Sequence, residues 1–204
     1  MEKGFVFLDE AVQGIRWDAK YATWDNFTGR PVNGYEANRI VGTFELANAL
    51  LKAREQAAGL GYGLLLWDAY RPQRAVDCFL RWSVQPEDGL TKEKHYPNIA
   101  REEMISKGYV ASQSSHSRGS AVDLTLYQLD TGDMVTMGSN FDFMDERSHH
   151  TSKAVTDTES KHRRLLRSIM EQSGFEAYEN EWWHYLLKNE PYPDCYFDFP
   201  IAYG

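Results

Sequence analysis

The chain has 204 residues, 42% hydrophobic and 25% charged, a composition that suits one globular domain with a full core. A formal charge of -8 and a pI near 5.3 argue against nucleic acid or an anionic membrane as partner. No apolar run approaches the roughly 18 residues of a membrane span, and two cysteines, Cys78 and Cys195, supply neither a disulfide framework nor a zinc ribbon.

Residues 1–10 place Asp9 and Glu10 directly after a very short apolar patch. That is not a signal peptide, so a cytoplasmic location with free thiols is expected. Residues 43–58 carry Leu46, Ala47, Leu50 and Leu51 at helical spacing, and Gly59 and Gly61 close the element. Residues 64–67 are a short apolar run with turn signals on both sides, read as a buried central strand. Pro72 suits the first turn of a helix over 72–82 with Ala75, Val76 and Phe79 inward, which leaves Arg71 in the turn between strand and helix. Asn98 is expected to cap a short helix that ends before Gly108. Residues 145–157 are polar and aperiodic, a long surface loop placed to cover a site. Thr156 and Glu159 form a capping-box pattern ahead of a helix with Leu165, Leu166, Ile169 and Met170 inward and Gly174 at its end. Early helices, strands around residues 114–126 and 182–187, and a helix between them predict one α+β domain over 1–204, with a mainly antiparallel central sheet and flanking helices.

The chemistry concentrates in two segments. Ser114-Ser115-His116-Ser117-Arg118-Gly119-Ser120-Ala121-Val122-Asp123 and Glu181-Trp182-Trp183-His184 together offer two imidazoles and two carboxylates. A mononuclear metal hydrolase needs three N/O ligands, a vacant position for water, and a carboxylate that is not a ligand. After Gly119 the residues alternate, so Asp123 points away from the face of Val122, Leu124 and Leu126. Gly119 lets the chain turn back sharply after His116. Glu181 and His184 are three apart, so a regular strand would send them to opposite faces; either Glu181 precedes the strand in a turn or a bulge re-aims it. The polar run 176–181 favours the turn, with a strand over 182–187 and His184 facing the site. A serine triad is a poor fit, because Ser114, Ser115, His116 and Asp123 are crowded and no Gly-x-Ser-x-Gly elbow is present. His149-His150 reads as a solvated or supporting pair, and His95 and His162 as ordinary hydrogen-bonded histidines.

Ser-x-His-x-x-Gly-x-Ala-x-Asp over 114–123, followed by Glu-x-x-His over 181–184, resembles the zinc D-Ala-D-Ala peptidases of the hedgehog/DD-peptidase fold. The stretches 16–23, 26–29, 67–72 and 141–146 are similar to the VanX-type D-Ala-D-Ala dipeptidases within that family. The likeness covers nearly the whole chain; one departure is Ala69, where the family has glycine before Tyr-Arg-Pro. The resemblance implies one Zn²⁺ per chain held by His116, Asp123 and His184, with Glu181 as general base and Arg71 as the cation for the developing oxyanion. It implies hydrolysis of free D-Ala-D-Ala in the cytoplasm, in support of glycopeptide (vancomycin) resistance. A dipeptide has two charged ends, so the pocket should offer a carboxylate to the ammonium and donors to the carboxylate. Asp142 is the candidate for the ammonium, with Tyr21, Tyr35 and Ser114 as candidate polar contacts, each also readable as structural. Trp182 and Trp183 should divide between a cavity wall and a core contact. The expected partner is thus a small dipeptide, with a homo-oligomer left open. The alternatives are a carboxypeptidase on longer muropeptides and a zinc-containing peptide-binding domain without turnover; the intact Glu181 argues against the latter.

Overall fold

Capping side chains and glycines break the chain into short elements that wrap a five-stranded sheet. The computed structural model describes residues 1–203. In chain order it contains β1 (Phe5–Phe7), α1 (Leu8–Ala11), β2 (Arg16–Trp17), β3 (Val41–Thr43), α2 (Phe44–Gly59) and β4 (Tyr62–Asp68). Then come α3 (Gln73–Ser83), α4 (Lys92–His95), β5 (Ala121–Gln128), α5 (Asp157–Gln172), β6 (Phe175–Ala177) and β7 (His184–Leu187). The main sheet has the order β2-β4-β5-β7-β6 and is antiparallel except for β2 against β4. A separate antiparallel pair joins β1 to β3. The architecture is α+β, as the alternation of patterns predicts.

Local chemistry explains the long helices. The Thr43 hydroxyl accepts the Leu46 N–H at 3.2 Å to start α2, whose Leu46, Ala47, Leu50 and Ala53 are buried. Pro72 stands immediately before α3, whose buried face is Ala75, Val76, Phe79 and Trp82. At α5 the capping box closes both ways: Glu159 N–H donates to Thr156 Oγ1 at 3.3 Å, and Thr156 N–H to Glu159 Oε2 at 2.7 Å. Helix α2 packs on β4, α5 packs on β6, and the two helices touch each other. With helices on one side and irregular segments on the other, β5 is buried on both faces from Ala121 to Tyr127.

Two expectations are corrected. Asn98 caps no helix: its amide donates to Asp145 Oδ2 at 2.8 Å, and the single turn Arg101–Glu103 is closed by the Glu103 carboxylate on the Ala100 N–H at 2.8 Å. A charged acceptor three residues ahead of Ala100 outcompetes a neutral amide two residues behind it. Strand β7 begins at His184 rather than at residue 182, and Glu176 belongs to β6, so the polar turn is shorter than its composition suggests. Residues 145–157 form the irregular surface segment expected, but it is anchored at one point. Ser148 is buried, its carbonyl accepts the Trp182 N–H at 3.0 Å, and Arg163 of α5 ties down the preceding backbone.

Arg163 is 1% exposed and donates to the carbonyls of Met137, Arg147 and His149 at 2.5, 2.9 and 2.8 Å. Burial lowers its guanidinium to about 10, which leaves it charged at neutral pH. An irregular segment has no ladder to satisfy its carbonyls, and this fork supplies the donors. Arg163→Ala is expected to destabilise the fold by about 3 kcal/mol in urea unfolding. Arg163→Lys should recover only part of that, since one ammonium cannot reproduce the planar fork.

Candidate active site

Sheet register builds the first part of the site. Across β4, β5 and β7, Asp68 is opposite Asp123 and Asp123 is opposite His184, so three polar side chains form one row. The row depends on an irregularity between Leu66 and Asp68, which re-aims Asp68 at the end of its strand. His116 comes from a single 3-10 turn, Ser115–Arg118, capped by Ser114 Oγ on the His116 N–H at 3.3 Å. Gly119 ends that turn with φ +81°, a left-handed conformation that lets the chain turn back sharply after His116.

The site then closes on itself. His116 Nε2 is 3.0 Å from His184 Nδ1 and 3.3 Å from Asp123 Oδ2, while His184 Nδ1 is 3.0 Å from Asp123 Oδ1. His116 Nδ1–H donates to the Ala69 carbonyl at 2.6 Å, and His184 Nε2 lies 3.3 Å from Ser115 Oγ. A carbonyl can only accept, so a neutral His116 must carry its proton on Nδ1 and turn a bare Nε2 inward. The donor set is two inward ring nitrogens and a carboxylate oxygen, all within 4.8 Å of one another. Two imidazole nitrogens and a carboxylate at these separations fit a tetrahedral Zn²⁺ with one position open. His149 and His150 stay apart from this group. His150 packs edge-on to Tyr185 with ring centroids 6.1 Å apart, and burial lowers its imidazole to about 4.

The remaining predicted residues divide. Arg71 lines the cavity, with Nε and Nη2 each 2.9 Å from Asp68 Oδ2 and Nη2 3.6 Å from Asp123 Oδ2. Its guanidinium also lies over Tyr21, 4.9 Å from the ring centroid. The ion pair with Asp68 and a place in the cavity therefore coexist, and the Ala69 methyl displaces neither. Glu181 stands in the turn before β7, lining the same cavity, where burial raises its carboxyl above the usual range. Asp142 adopts φ +54° and accepts the Tyr21 hydroxyl at 2.8 Å; burial, reinforced by Asp123, pushes its carboxyl well up. Ser114 lines the cavity. Tyr35 does not: it is buried behind Asp68, donating to Oδ1 at 2.7 Å, so its reading as a substrate contact is corrected to a support for that carboxylate. Trp183 lines the cavity, whereas Trp182 turns into the core and donates to Ser139 Oγ at 2.9 Å. Sequence reasoning did not single out Ser115 or Asp68 as members of the site. The Ser-Ser-His run and the three-residue spacing to Arg71 were the available signals.

The cavity holds about 440 Å³, at the low end of small-molecule pockets, and it combines aromatic walls with convergent charges. Against Asp123, burial works upward but the His116 and His184 imidazoles prevail and hold the carboxyl well below the usual range. The turn that delivers His116 has no slack: a Cβ on Gly119 would sit 2.2 Å from Phe5 Cε1. Gly119→Ala is expected to cost about 2–4 kcal/mol of stability in urea unfolding, through both the positive φ and this overlap. Phe5→Leu in the same chain should recover only the overlap part.

A family profile described as D-ala-D-ala dipeptidase (Peptidase_M15) matches residues 1–202. D-alanyl-D-alanine dipeptidase of Enterococcus faecium is 72% identical over 201 residues, covering 98% of this chain and 100% of that protein. The protein of the same name from Enterococcus faecalis (strain ATCC 700802 / V583) is 70% identical over 202 residues, covering 99% and 100%. That of Streptomyces coelicolor is 65% identical over 202 residues, with the same coverage. Among solved structures, the vancomycin resistance D,D-pentapeptidase VanY of a VanB-type cassette, a mutant in complex with Zn(II), superposes with a TM-score of 0.45. Its identity is 15%, over 76% of this chain and 77% of that one. A profile that spans the chain and relatives matched end to end at these identities agree, and the chain belongs to the D-Ala-D-Ala dipeptidase family.

Proposed function

We propose that this chain, acting as one unit over residues 1–204, is a zinc dipeptidase that hydrolyses free D-Ala-D-Ala. The observation that carries the reading is the convergence of His116, Asp123 and His184 within 4.8 Å in the wall of a cavity that also holds Glu181 and Arg71. His116 Nε2, His184 Nδ1 and an Asp123 oxygen would hold one Zn²⁺, which when bound supplies a Lewis acid for the scissile carbonyl and acidifies water.

The chain's own residues do the rest. Glu181 takes one proton from the attacking water as its oxygen adds to the carbonyl carbon. It then delivers that proton to the nitrogen of the departing D-alanine as the C–N bond breaks. A carboxyl raised by burial suits both halves of this transfer better than an ordinary one. Arg71, locked by Asp68, offers its free N–H groups to the charge that develops on the carbonyl oxygen, and this geometry is set before substrate arrives. Asp142, oriented by the Tyr21 hydroxyl, is the carboxylate for the substrate ammonium, whose charge would restore its ionised form. Ser114 is the further polar contact on the cavity wall.

Among the described residues no helix is long and apolar enough to cross a membrane. The cytoplasm is the proposed compartment, because a substrate with both termini free is met there before its attachment to a cell-wall precursor. Removing that dipeptide would favour precursors ending in D-lactate, the basis of the proposed role in glycopeptide resistance.

D-alanine release from D-Ala-D-Ala by the zinc-loaded protein, run beside L-Ala-L-Ala and a D-Ala-ended tripeptide, tests the function. Cleavage of the D,D-dipeptide alone is expected. Tripeptide cleavage would move the assignment to a carboxypeptidase, and zinc binding without turnover would make the chain a binding domain. Glu181→Ala should lose about 10²–10⁴-fold in kcat with zinc content near that of the wild type; retained turnover would remove Glu181 from the role of base. Arg71→Ala should lower kcat by about 10²–10³-fold, again with zinc retained. Unchanged kinetics would return Arg71 to a purely structural ion pair.

A further inference from the structure

The two imidazoles of the centre are secured differently. His116 Nδ1–H is held by the Ala69 carbonyl at 2.6 Å, a backbone acceptor fixed by the turn before α3. His184 Nε2 has a side-chain neighbour instead, Ser115 Oγ at 3.3 Å. The faces of the His184 ring are also restrained, with Tyr178 edge-on at 5.7 Å between centroids and His116 at 4.8 Å. Those ring contacts limit tilt but are indifferent to which nitrogen carries the hydrogen.

That choice matters here, because His184 Nδ1 lies 3.0 Å from Asp123 Oδ1. A hydrogen on Nδ1 would satisfy Asp123 and aim an N–H, rather than a lone pair, at the centre. We propose that Ser115 is a positioning residue of the metal centre: its Oγ accepts the N–H of His184 Nε2, which keeps Nδ1 bare and turned toward His116 Nε2 and Asp123. The assignment rests on the metal reading made above. One short turn, Ser115–Arg118, then governs both imidazoles, carrying His116 itself and the group that selects the tautomer of the other histidine. A shift of that turn would disturb both ligands together.

Outer-shell partners of ligating histidines are typically worth about 10–100-fold in metal affinity. Ser115 is partly exposed on the cavity wall, so water can replace some of its hydrogen bond, which places the effect near the lower end of that range. The test is Zn²⁺ affinity, by competition with a chromophoric chelator, for wild type, Ser115→Ala and Ser115→Thr. It is paired with ¹⁵N NMR of the His184 ring in the zinc-loaded wild type. Ser115→Ala should bind zinc about tenfold more weakly, with an unchanged melting temperature of the metal-free protein. Ser115→Thr, which keeps the hydroxyl, should restore the affinity, and the wild-type spectrum should show the hydrogen on Nε2. Unchanged affinity in Ser115→Ala, or a hydrogen on Nδ1 in the zinc-loaded wild type, overturns the proposal. If Ser115→Ala does not fold, the wild-type spectrum and Ser115→Thr decide. A wild type that binds no zinc would strike the metal reading itself, a result distinct from either of these.

Discussion

Negative charge buried inside a sheet is the constraint on which the rest of this molecule depends. Asp68 and Asp123 are 1% and 2% exposed and face each other across β4 and β5, while Asp142 and Glu181 border the same cavity. One guanidinium, Arg71, meets the first two. An unpaired buried carboxylate costs several kcal/mol, so a site with this imbalance is incomplete without further positive charge. On the proposed function, a divalent ion between the imidazoles and an ammonium at Asp142 would complete it. The same deficit would then select both the metal and one end of the proposed substrate. It also explains why carboxyls in one cavity diverge. Asp123 is held ionised by its imidazoles, whereas Glu181 and Asp142 are pushed upward by burial.

Positioning comes from hydrogen bonds that lace two turns together. His116 Nδ1–H reaches the Ala69 carbonyl while the Arg71 N–H reaches the His116 carbonyl at 3.2 Å, so the turn that carries the guanidinium and the turn that carries the imidazole cannot move independently. The C-terminal segment fastens both from behind. Phe197 donates its N–H to the Ser117 carbonyl at 2.9 Å and accepts the Gln73 N–H at 3.0 Å, and Phe199 stacks on Tyr70 at 4.2 Å. Packing at the far end of the chain is thereby coupled to the preorganisation that electrostatic catalysis requires. On the proposed mechanism, stability and activity share these bonds.

Much of the fold was open to inspection in the sequence because its signals act over a few residues. The Thr43 cap, the Thr156–Glu159 box, Pro72 ahead of α3 and Gly119 after His116 are each decided by backbone groups within one turn. The failures are equally physical. Asn98 has the right chemistry for a cap, yet Asp145, 47 residues away in sequence, takes its amide. Residues 145–157 are the surface segment their composition suggests, but the carbonyls of Arg147 and His149 are claimed by an arginine on the next helix. Tyr35 has a hydroxyl suited to substrate and spends it on Asp68. In each case the competing partner is distant along the chain, and periodicity carries no trace of it.

By itself the sequence determined the local elements and the chemistry of the donors: two imidazoles, acidic groups and a guanidinium, placed at turns and strand ends by residues with short-range conformational preferences. The tertiary structure alone decided how those groups divide the work. Pairing of β4 with β5 and of β5 with β7 sets Asp68, Asp123 and His184 in one row. That row assigns Asp68 to Arg71, leaves Asp123 to the imidazoles, and brings Ser115 to the outer nitrogen of His184. Strand register and burial arise from contacts dozens of residues apart, and they determine which like-charged carboxylate is paired, which is raised, and which is left to meet a ligand.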